Sequence, residues 1–207
     1  MTRIVLASSS PARLKVLQSA GLRPDVIPSH VDEGAFASES PAELALTLAQ
    51  AKAAAVAAQV PSGLVIGCDT LLEVTGSARL AGVAQGKPAS PAAAKSLWLE
   101  MAGQTATLFT GHCVIDTGSA RTASEVGVTE ISFATPSEPE IDAYVATGEP
   151  LQMAGSFALD GLGAWFVDAI KGDYGNVIGI SLPLLRRLFA SLGVTVTDLW
   201  DARCLRS

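Results

Sequence analysis

Apolar positions along the chain alternate between short compact runs and longer segments with helical spacing. Short apolar runs bounded by turn residues are typical of buried strands, whereas apolar positions three or four residues apart are typical of helices. In the first predicted helix, Leu14 and Leu17 lie on one face and Lys15 on another. The pattern predicts strands over 3–7, 25–28, 64–68, 71–74, 104–115, 120–133 and 164–170, and helices over 11–20, 41–60, 91–101, 137–146 and 182–191.

Strands and helices alternate along the sequence, with one hairpin of two long strands in the second half. The hairpin turn is placed at 116–118. Alternating elements with an inserted hairpin predict an α/β or α+β fold built on a mixed sheet. No internal repeat, low-complexity linker or confident boundary divides the sequence, so residues 1–207 are predicted to form a single domain.

The composition indicates a globular protein. Hydrophobic residues make up 49% of the 207 residues and charged residues 16%, which argues against a disordered chain. No apolar run approaches the roughly 20 residues of a membrane-spanning helix. The longest helix-like stretch, 44–58, is interrupted by Gln50 and Lys52. The apolar run near the N-terminus is too short for a signal peptide, so we expect a soluble chain that is not exported.

Charge and cysteine content narrow the class further. The net charge of −6 argues against a protein that binds nucleic acid polymers, because such proteins present a basic face. A single nucleotide is compatible with it, since a few placed cations can hold one triphosphate. Cys68, Cys113 and Cys204 are odd in number and widely spaced. They indicate neither a disulfide framework nor a zinc site, and a reducing cytoplasm is the simplest location.

A serine-rich turn joins the first predicted strand to the first predicted helix, in the run Ser8-Ser9-Ser10-Pro11-Ala12-Arg13. A helix N-terminus offers unpaired N–H groups and partial positive charge, which suit a phosphate. Arg13, in the first turn, can add a charge-assisted contact. The alternative is a surface helix on which Ser10 is only the N-cap.

Two acidic positions follow predicted strands. Asp69, with Thr70, comes directly after the strand 64–68, where open α/β sheets usually place ligands. An acid in that place can hold Mg²⁺ or take a proton from water. The alternative is a turn or helix cap that closes the strand. Glu33 follows the strand at 25–28, and taken alone it is better explained as a solvated loop charge.

Two lysines and two glycine-rich segments are the remaining candidates. Lys52 is the only charge in 44–58, where it either reaches a site or extends along the helix to solvent. Lys87 lies between a glycine and a proline, a fixed backbone that suits either a phosphate contact or an exposed turn. The glycine-rich segments at 154–163 and 171–177 either line a ligand site or turn corners.

Many of these segments belong to one ordered set of motifs. The set comprises Ser-x-Ser-Pro-x-Arg at 8–13, Val-Asp-Glu at 31–33, Ala-Lys-Ala at 51–53, Asp-Thr at 69–70, Gly-Lys-Pro at 86–88, Phe-Thr-Gly at 109–111, Glu-Ile-Asp-Ala-Tyr-Val at 140–145, Ala-Gly-Ser-Phe at 154–157 and Gly-Asp-Tyr-Gly-Asn-Val-Ile-Gly at 172–179. Over nearly the whole chain, this order resembles the Maf family of nucleoside triphosphate pyrophosphatases. The ordered set is far more specific than any single motif.

The resemblance implies a cytoplasmic enzyme that hydrolyses nucleoside triphosphates, standard or modified, to the monophosphate and pyrophosphate. It implies a two-lobed mixed α/β fold around a central cleft, similar to inosine-triphosphate pyrophosphatases, often dimeric. It also implies a divalent ion, Mg²⁺ or else Mn²⁺ or Co²⁺. Matching positions give the proton acceptor as Asp69, the metal support as Glu33 with Asp69, the cations that neutralise the triphosphate as Lys52 and Lys87, and the phosphate-binding residues as Ser8, Ser10 and Arg13.

The sequence departs from the family at positions associated with the choice of nucleobase. Many members read Ser-Pro-Arg-Arg where this chain has Ala12, and have a Gln or Glu where it has Asp160. Together with Thr70, these residues match neither the thymidine/uridine pattern nor the 7-methylguanosine pattern. Because alanine cannot donate a hydrogen bond from its side chain, our hypothesis is a roomier, more promiscuous pocket.

Two other functions are compatible with the residue types. The resemblance, through a family name derived from septum formation, implies as one alternative a nucleotide-responsive regulatory protein linked to cell division. Such a protein would need cations for phosphate more than the pair of acids at Glu33 and Asp69. A phosphatase that removes the terminal phosphate would release orthophosphate. The residue types alone do not separate that reaction from cleavage between the α- and β-phosphates.

Overall fold

The computed structural model describes residues 2–38 and 40–200, so the prediction for Cys204 lies outside the described residues. Its strands are β1 (Ile4–Leu6), β2 (Asp25–Val26), β3 (Leu64–Glu73), β4 (Thr105–Asp116), β5 (Arg121–Phe133) and β6 (Val167–Lys171). They form a six-stranded sheet in the order β2-β1-β3-β4-β5-β6. β1 runs parallel to β2 and β3, and the other neighbours are antiparallel. The sheet is therefore mixed, as the sequence predicted.

Six α-helices occur in the described part of the chain, with short 3₁₀ helices between them. They are α1 (Pro11–Ser19), α2 (Pro41–Ala57), α3 (Pro91–Met101), α4 (Glu138–Ala146), α5 (Tyr174–Ile178) and α6 (Leu182–Ser191). Five of the six have a proline at their first or second position, and a serine precedes the first helical residue of each of these five. The α/β class with a mixed sheet is confirmed.

The predicted strands 64–68 and 71–74 are one continuous strand, β3. The polar pair Asp69-Thr70 interrupts the apolar run, yet both residues pair with β4, opposite Gly111 and Thr110. Asp69 therefore lies in the middle of a strand, and the prediction that it follows a strand end was wrong.

Two further elements differ from the prediction. The segment 164–170 begins as a 3₁₀ helix, Leu162–Phe166, and only then becomes β6. α5 was not predicted, because five residues are too few to show helical periodicity. It is stabilised by Asp173, whose carboxylate accepts hydrogen bonds from the N–H groups of Gly175 and Asn176 at its N-terminus.

The alanine-rich helix α2 packs unusually close to the sheet. Its buried Ala45 and Ala49 lie over Gly111 and Gly67, in the centres of β4 and β3. A Cβ on either glycine would collide with the backbone of α2. Small residues on both sides therefore fix how near the helix comes to the strands, and so how far a side chain of α2 must reach to touch β3.

Two apolar clusters lie on the opposite face of the sheet, at the two ends of β3 and β4. One joins the start of β3 to α1 and α6 and includes Ile66 and Phe189. The other joins the end of β3 to α3 and α4 and includes Leu72 and Trp98. Ile66 and Leu72 share a face because they are an even number of residues apart. The long strands thus connect the two clusters, and the polar residues of their central part separate them.

Candidate active site

Three charged side chains converge on the face of β3 that α2 covers. Lys52 extends from α2, and its Nζ lies 2.5 Å from Asp69 Oδ1 and 2.6 Å from Glu33 Oε1. Glu33 begins a short 3₁₀ turn after β2, capped by Asp32. The structure therefore brings together both predicted acids and one predicted cation, from elements far apart in the chain.

The cluster is buried at its centre and open on one side. Lys52 is 8% exposed and Asp69 6% exposed, whereas 58% of the Glu33 side chain is exposed. The alternative in which Lys52 extends along the helix to solvent is wrong, because its ammonium group is paired inside the protein. A buried charge needs such partners, since desolvation otherwise costs several kcal/mol. Glu33 marks the side from which a ligand can approach.

Burial raises the pKa of Asp69, and the nearby Lys52 and Arg13 charges oppose this rise. A raised pKa makes the carboxylate a better proton acceptor than an ordinary aspartate, because its basicity lies nearer to neutral pH. Lys52 bonds only the Oδ1 atom of Asp69. Asp69 therefore combines the basicity and the confinement that a general base requires.

Asp69 lies in a gap along one edge of β3. β1 pairs with β3 as far as Leu6 opposite Ile66, and the last hydrogen bond on that side runs from Ala7 N–H to the Ile66 carbonyl. The next pairing on this edge, within the described residues, is between Leu72 and Gln85. The gap lies beyond the carboxyl end of β1. Open α/β sheets usually bind ligands beyond the carboxyl ends of their strands, and here the strand that ends at the candidate site is β1 rather than β3.

The serine-rich turn borders this gap. Ser10 is the N-cap of α1 and accepts a hydrogen bond from the Arg13 N–H at 3.4 Å. Ser8 is buried, and its Oγ accepts from the Ser10 N–H at 3.2 Å and from Arg13 Nη1 at 3.0 Å. The capping role of Ser10 is thus confirmed. A phosphate role for Ser8, Ser10 and Arg13 stays a prediction.

The Arg13 side chain is anchored from three sides. Besides Ser8, it donates from Nη2 to Thr70 Oγ1 at 3.1 Å and from Nε to the Gly179 carbonyl at 2.9 Å. Gly179 has a φ of 109°, and a Cβ there would lie 3.1 Å from Arg13 Nε. Only glycine gives both this backbone conformation and the close approach. The guanidinium is therefore held in one orientation while two of its N–H groups stay available.

Lys87 is exposed, and no hydrogen bond or ion pair joins its side chain to another described residue. Its backbone is nevertheless fixed, because the Gly86 carbonyl accepts from the Gly155 N–H at 3.0 Å and Gln85 pairs with Leu72. Continuing that antiparallel register by two residues brings position 87 beside Thr70. The segment borders the gap, but the structure does not bring the Lys87 ammonium into the cluster.

The positions associated with base choice are divided between two places. Ala12 and Asp160 line one groove of about 440 Å³ between α1 and α5, together with Lys15, Asp173 and Tyr174. Thr70 instead turns its hydroxyl toward Arg13 and Thr110. Ala12 and Asp160 are nearly 150 residues apart, and the fold places them on one surface, whereas Thr70, the third position that the resemblance associates with the base, does not line this groove.

Several buried groups near the site are structural. The Nδ1 of His112 donates to the Thr110 carbonyl and its Nε2 accepts from the Ser181 N–H, both at 2.8 Å. Both ring nitrogens are thus used by the neutral imidazole, and burial lowers the pKa of His112 to about 4. Cys68 and Cys113 are buried on opposite faces of the sheet, which excludes a disulfide between them. Burial raises the pKa of the Cys68 thiol to about 12.

Sequence reasoning missed the support behind Arg13, formed by Thr110, Asn176 and Gly179. All three lie in motifs that carried the family resemblance, but a hydroxyl or a glycine in a motif does not say which side chain it holds.

The acids of the site can hold a metal ion only together with a ligand. No group of three or more His, Cys, Asp or Glu side chains converges on a common point within 2–38 and 40–200. Glu33 and Asp69 supply two carboxylates, a number that suits Mg²⁺ when phosphate oxygens and water complete its shell.

Within the same described ranges, the helices are all too short or too polar to cross a bilayer.

Comparison with known proteins gives matches over almost the full length. The nucleoside triphosphate pyrophosphatase of Streptomyces coelicolor is 54% identical over 200 residues, covering 96% of this chain and 94% of that protein. The proteins of the same name from Rippkaea orientalis and Nocardia farcinica are each 49% identical, covering 96% and 95% of this chain and 94% and 96% of their own lengths. The family model described as Maf-like protein matches residues 3–192. The chain therefore belongs to the Maf-like protein family.

Proposed function

We propose that this protein is a nucleoside triphosphate pyrophosphatase, a hydrolase that cleaves the anhydride bond between the α- and β-phosphates. The buried Asp69–Lys52 pair with Glu33 at its open side is the observation that carries the proposal. A protein that only binds a nucleotide has no need of a buried carboxylate with a raised pKa. The names of relatives about half identical to this chain support the same reaction.

The reaction uses water as nucleophile. Asp69 removes a proton from water as the water oxygen bonds to the α-phosphorus. The bond from that phosphorus to the bridging oxygen breaks, pyrophosphate leaves with the electron pair, and the nucleoside monophosphate remains. Negative charge spreads over the phosphoryl oxygens during this step, so fixed cations lower the barrier. Arg13 and Lys52 are held in place for this task, and Lys87 approaches once a triphosphate fills the gap.

A divalent cation, Mg²⁺ with Mn²⁺ or Co²⁺ as substitutes, is part of the proposal. Glu33 and Asp69 would hold it, and their oxygens already share one cation, the Lys52 ammonium, at 2.6 and 2.5 Å. The ion would neutralise phosphate charge and lower the pKa of a bound water. Lys52 would then turn one of its N–H groups from a carboxylate to a phosphate oxygen, since an ammonium has three donors.

The groove between α1 and α5 is the proposed site of base discrimination. Ala12 leaves it without the donor that an arginine would supply, and Asp160 places a carboxylate in it. We therefore propose a pocket that accepts several bases, including modified ones. Comparable turnover across a panel of bases supports this, whereas a hundredfold preference for one base contradicts it.

The remaining features of the proposal concern the setting of the enzyme. We propose a cytoplasmic protein that acts on free nucleotides, forms a homodimer, and binds neither nucleic acid polymers nor membranes. The net charge of −6 supports the exclusion of polyanions. Light scattering at several protein concentrations tests the dimer.

The first test follows pyrophosphate and orthophosphate separately for a panel of standard and modified triphosphates with Mg²⁺. We expect pyrophosphate from the wild type, and a loss of about 10²–10⁴-fold in kcat for Asp69→Asn, the typical contribution of a general base. Asp168→Asn, at an exposed position of β6, serves as the matched control and keeps full activity.

Two outcomes contradict the proposal. Orthophosphate without pyrophosphate indicates removal of the terminal phosphate instead. Tight binding of triphosphates that stay intact with every metal indicates the regulatory function.

A further inference from the structure

A row of hydrogen bonds runs from Arg13 into the polar region between the two apolar clusters. Arg13 Nη2 donates to Thr70 Oγ1 at 3.1 Å, and this oxygen lies 3.1 Å from Thr110 Oγ1. Thr110 Oγ1 donates to the Asn176 carbonyl at 2.8 Å. Thr110 is 0% exposed and Asn176 1%, so the inner end of the row is shielded from water.

The direction of every bond in this row follows from the number of protons that each group can donate. A carbonyl oxygen only accepts, so the single hydroxyl proton of Thr110 points to Asn176. Thr110 Oγ1 must then accept the proton of Thr70, because it has no second proton to give. With its own proton turned inward, Thr70 presents only lone pairs to Arg13, and a guanidinium N–H needs just such an acceptor.

We propose that Thr110 is a positioning residue for phosphate binding. By taking the proton of Thr70, it keeps the Thr70 oxygen turned toward Arg13 and so fixes the guanidinium for a phosphate. Without this acceptor, the Thr70 hydroxyl proton is free to turn toward the Arg13 N–H groups. Two donors then face each other, and the hydrogen bond from Arg13 to Thr70 is lost. The inference rests on the proposed function, in which Arg13 binds the triphosphate.

The surroundings of Thr110 make it a firm anchor. Its backbone is paired in the sheet opposite Asp69's neighbour Thr70 on β3 and Gly127 on β5. His112 accepts from the Ser181 N–H and donates to the Thr110 carbonyl, which ties β4 to the start of α6. Bonds that point in one direction along a row strengthen one another. The row therefore holds the Arg13 guanidinium in one position and orientation.

The same reasoning assigns Thr70 a place in this row. Its proton is committed to Thr110, so in this arrangement Thr70 has only lone pairs to offer a nucleobase. Any influence of Thr70 on the choice of substrate then acts through the position of Arg13.

The test compares Thr110→Val, which loses the hydroxyl but keeps the shape, with Thr110→Ser, which keeps the hydroxyl. Affinity for inorganic tripolyphosphate is measured by calorimetry, alongside kcat and KM for the best triphosphate. We expect Thr110→Val to weaken tripolyphosphate binding and raise KM about tenfold, because a misdirected contact loses one to two orders of magnitude. Thr110→Ser stays within about threefold of the wild type in both.

Thr129→Val is the matched control. Thr129 is also 0% exposed and donates to a backbone carbonyl of the same region, that of Asp173. Its hydroxyl accepts from the side-chain amide of Asn176 at 3.2 Å, but it has no bond to Thr110, Thr70 or Arg13. We expect it to lower the melting temperature without the tenfold loss of phosphate affinity. Should Thr110→Val fold poorly, Thr70→Val breaks the same row at its half-buried end and is read in the same way.

A double-mutant cycle shows whether Thr110 acts through the position of Arg13 or only stabilises the fold. In an Arg13→Ala background, Thr110→Val should change tripolyphosphate affinity no further, since the group it positions is gone. Wild-type affinity in Thr110→Val, an undiminished effect in the Arg13→Ala background, or an equal effect of Thr129→Val overturns the proposal. If the wild type binds tripolyphosphate but hydrolyses no nucleotide, the proposed reaction fails while the binding cycle still tests this inference.

Discussion

At the scale of single residues, the site depends on one ammonium shared by two carboxylates. Lys52 lowers the pKa of Asp69 against the larger effect of burial. Lys52→Met removes this opposition, so the Asp69 pKa rises further and the acid limb of the kcat–pH profile moves to higher pH. At the pH optimum, kcat falls about 10²–10³-fold, since a cation at the phosphoryl group is also lost.

Lys95 gives a matched control for this prediction. It too bridges two carboxylates, those of Glu138 and Asp142 at 2.8 and 2.7 Å, but on the surface between α3 and α4. Lys95→Met should leave both kcat and the pH profile unchanged. An acid limb that stays in place in Lys52→Met refutes the role of Lys52 in setting the Asp69 pKa.

The residue types of this cluster could be predicted from the sequence, but their contacts could not. Asp69, Glu33 and Lys52 were each identified as candidates, although for Lys52 the local pattern by itself favoured a surface position. The alternative fails because Lys52 falls on the side of α2 that faces β3. That depends on how the helix crosses the sheet, a tertiary property that local pattern does not contain.

At the scale of elements, two glycines determine the distance between α2 and the sheet. Gly111→Ala places a methyl group against the backbone of α2 at Ala45, where it cannot be accommodated without moving the helix. Overpacking of this kind costs about 1–3 kcal/mol of unfolding free energy. The same displacement moves Lys52 away from Asp69, so kcat should fall together with stability.

Chemical denaturation and steady-state kinetics check this prediction. Gly118→Ala is the control, because it lies at the turn of the same β4–β5 hairpin and its added methyl would meet only ordinary contacts, the nearest at 3.4 Å. A Gly111→Ala protein with wild-type stability and activity shows that the close approach of α2 is dispensable.

The elements themselves were largely predictable, and two of the three differences have physical causes that the structure shows. β3 was divided at Asp69-Thr70 because a charged residue in the centre of a strand contradicts the apolar pattern of a buried strand. The charge is tolerated there because Lys52 pairs with it and Arg13 lies nearby, which no window of sequence around Asp69 can show. α5 was missed because its start depends on the Asp173 cap rather than on periodicity.

At the scale of the whole molecule, the site lies near the middle of strands that connect two apolar clusters. Each apolar cluster closes one end of β3 and β4, and the polar row from Arg13 to Asn176 occupies the space between them. His112 adjoins this row, since it joins Thr110 of β4 to Ser181 at the start of α6. We call the row together with His112 the polar seam. The family resemblance implied two lobes around a cleft, but the buried polar groups between the two apolar clusters became visible only in the structure.

This seam makes the stability of the fold sensitive to acid. His112 is 0% exposed, and burial lowers its pKa from the ordinary 6.5 to about 4. The unfolded chain thus takes up the proton at a higher pH than the folded chain. The stability associated with neutral His112 is complete above about pH 6.5 and is lost as the pH falls toward 4. The full loss amounts to about 3 kcal/mol from the size of the shift.

Urea denaturation at pH 7, 5.5 and 4.5 measures this effect in the wild type, His112→Gln and His30→Gln. His112→Gln is less stable at pH 7 because its hydrogen bonds are altered, but its unfolding free energy should fall less steeply with acid than that of the wild type. His30 is exposed, so His30→Gln should follow the wild type at every pH. The raised pKa of Asp69 acts in the opposite direction, stabilising the fold as the pH falls, but it is common to all three proteins and cancels in the comparison. Parallel curves for the wild type and His112→Gln would show that protonation of the seam does not drive acid unfolding.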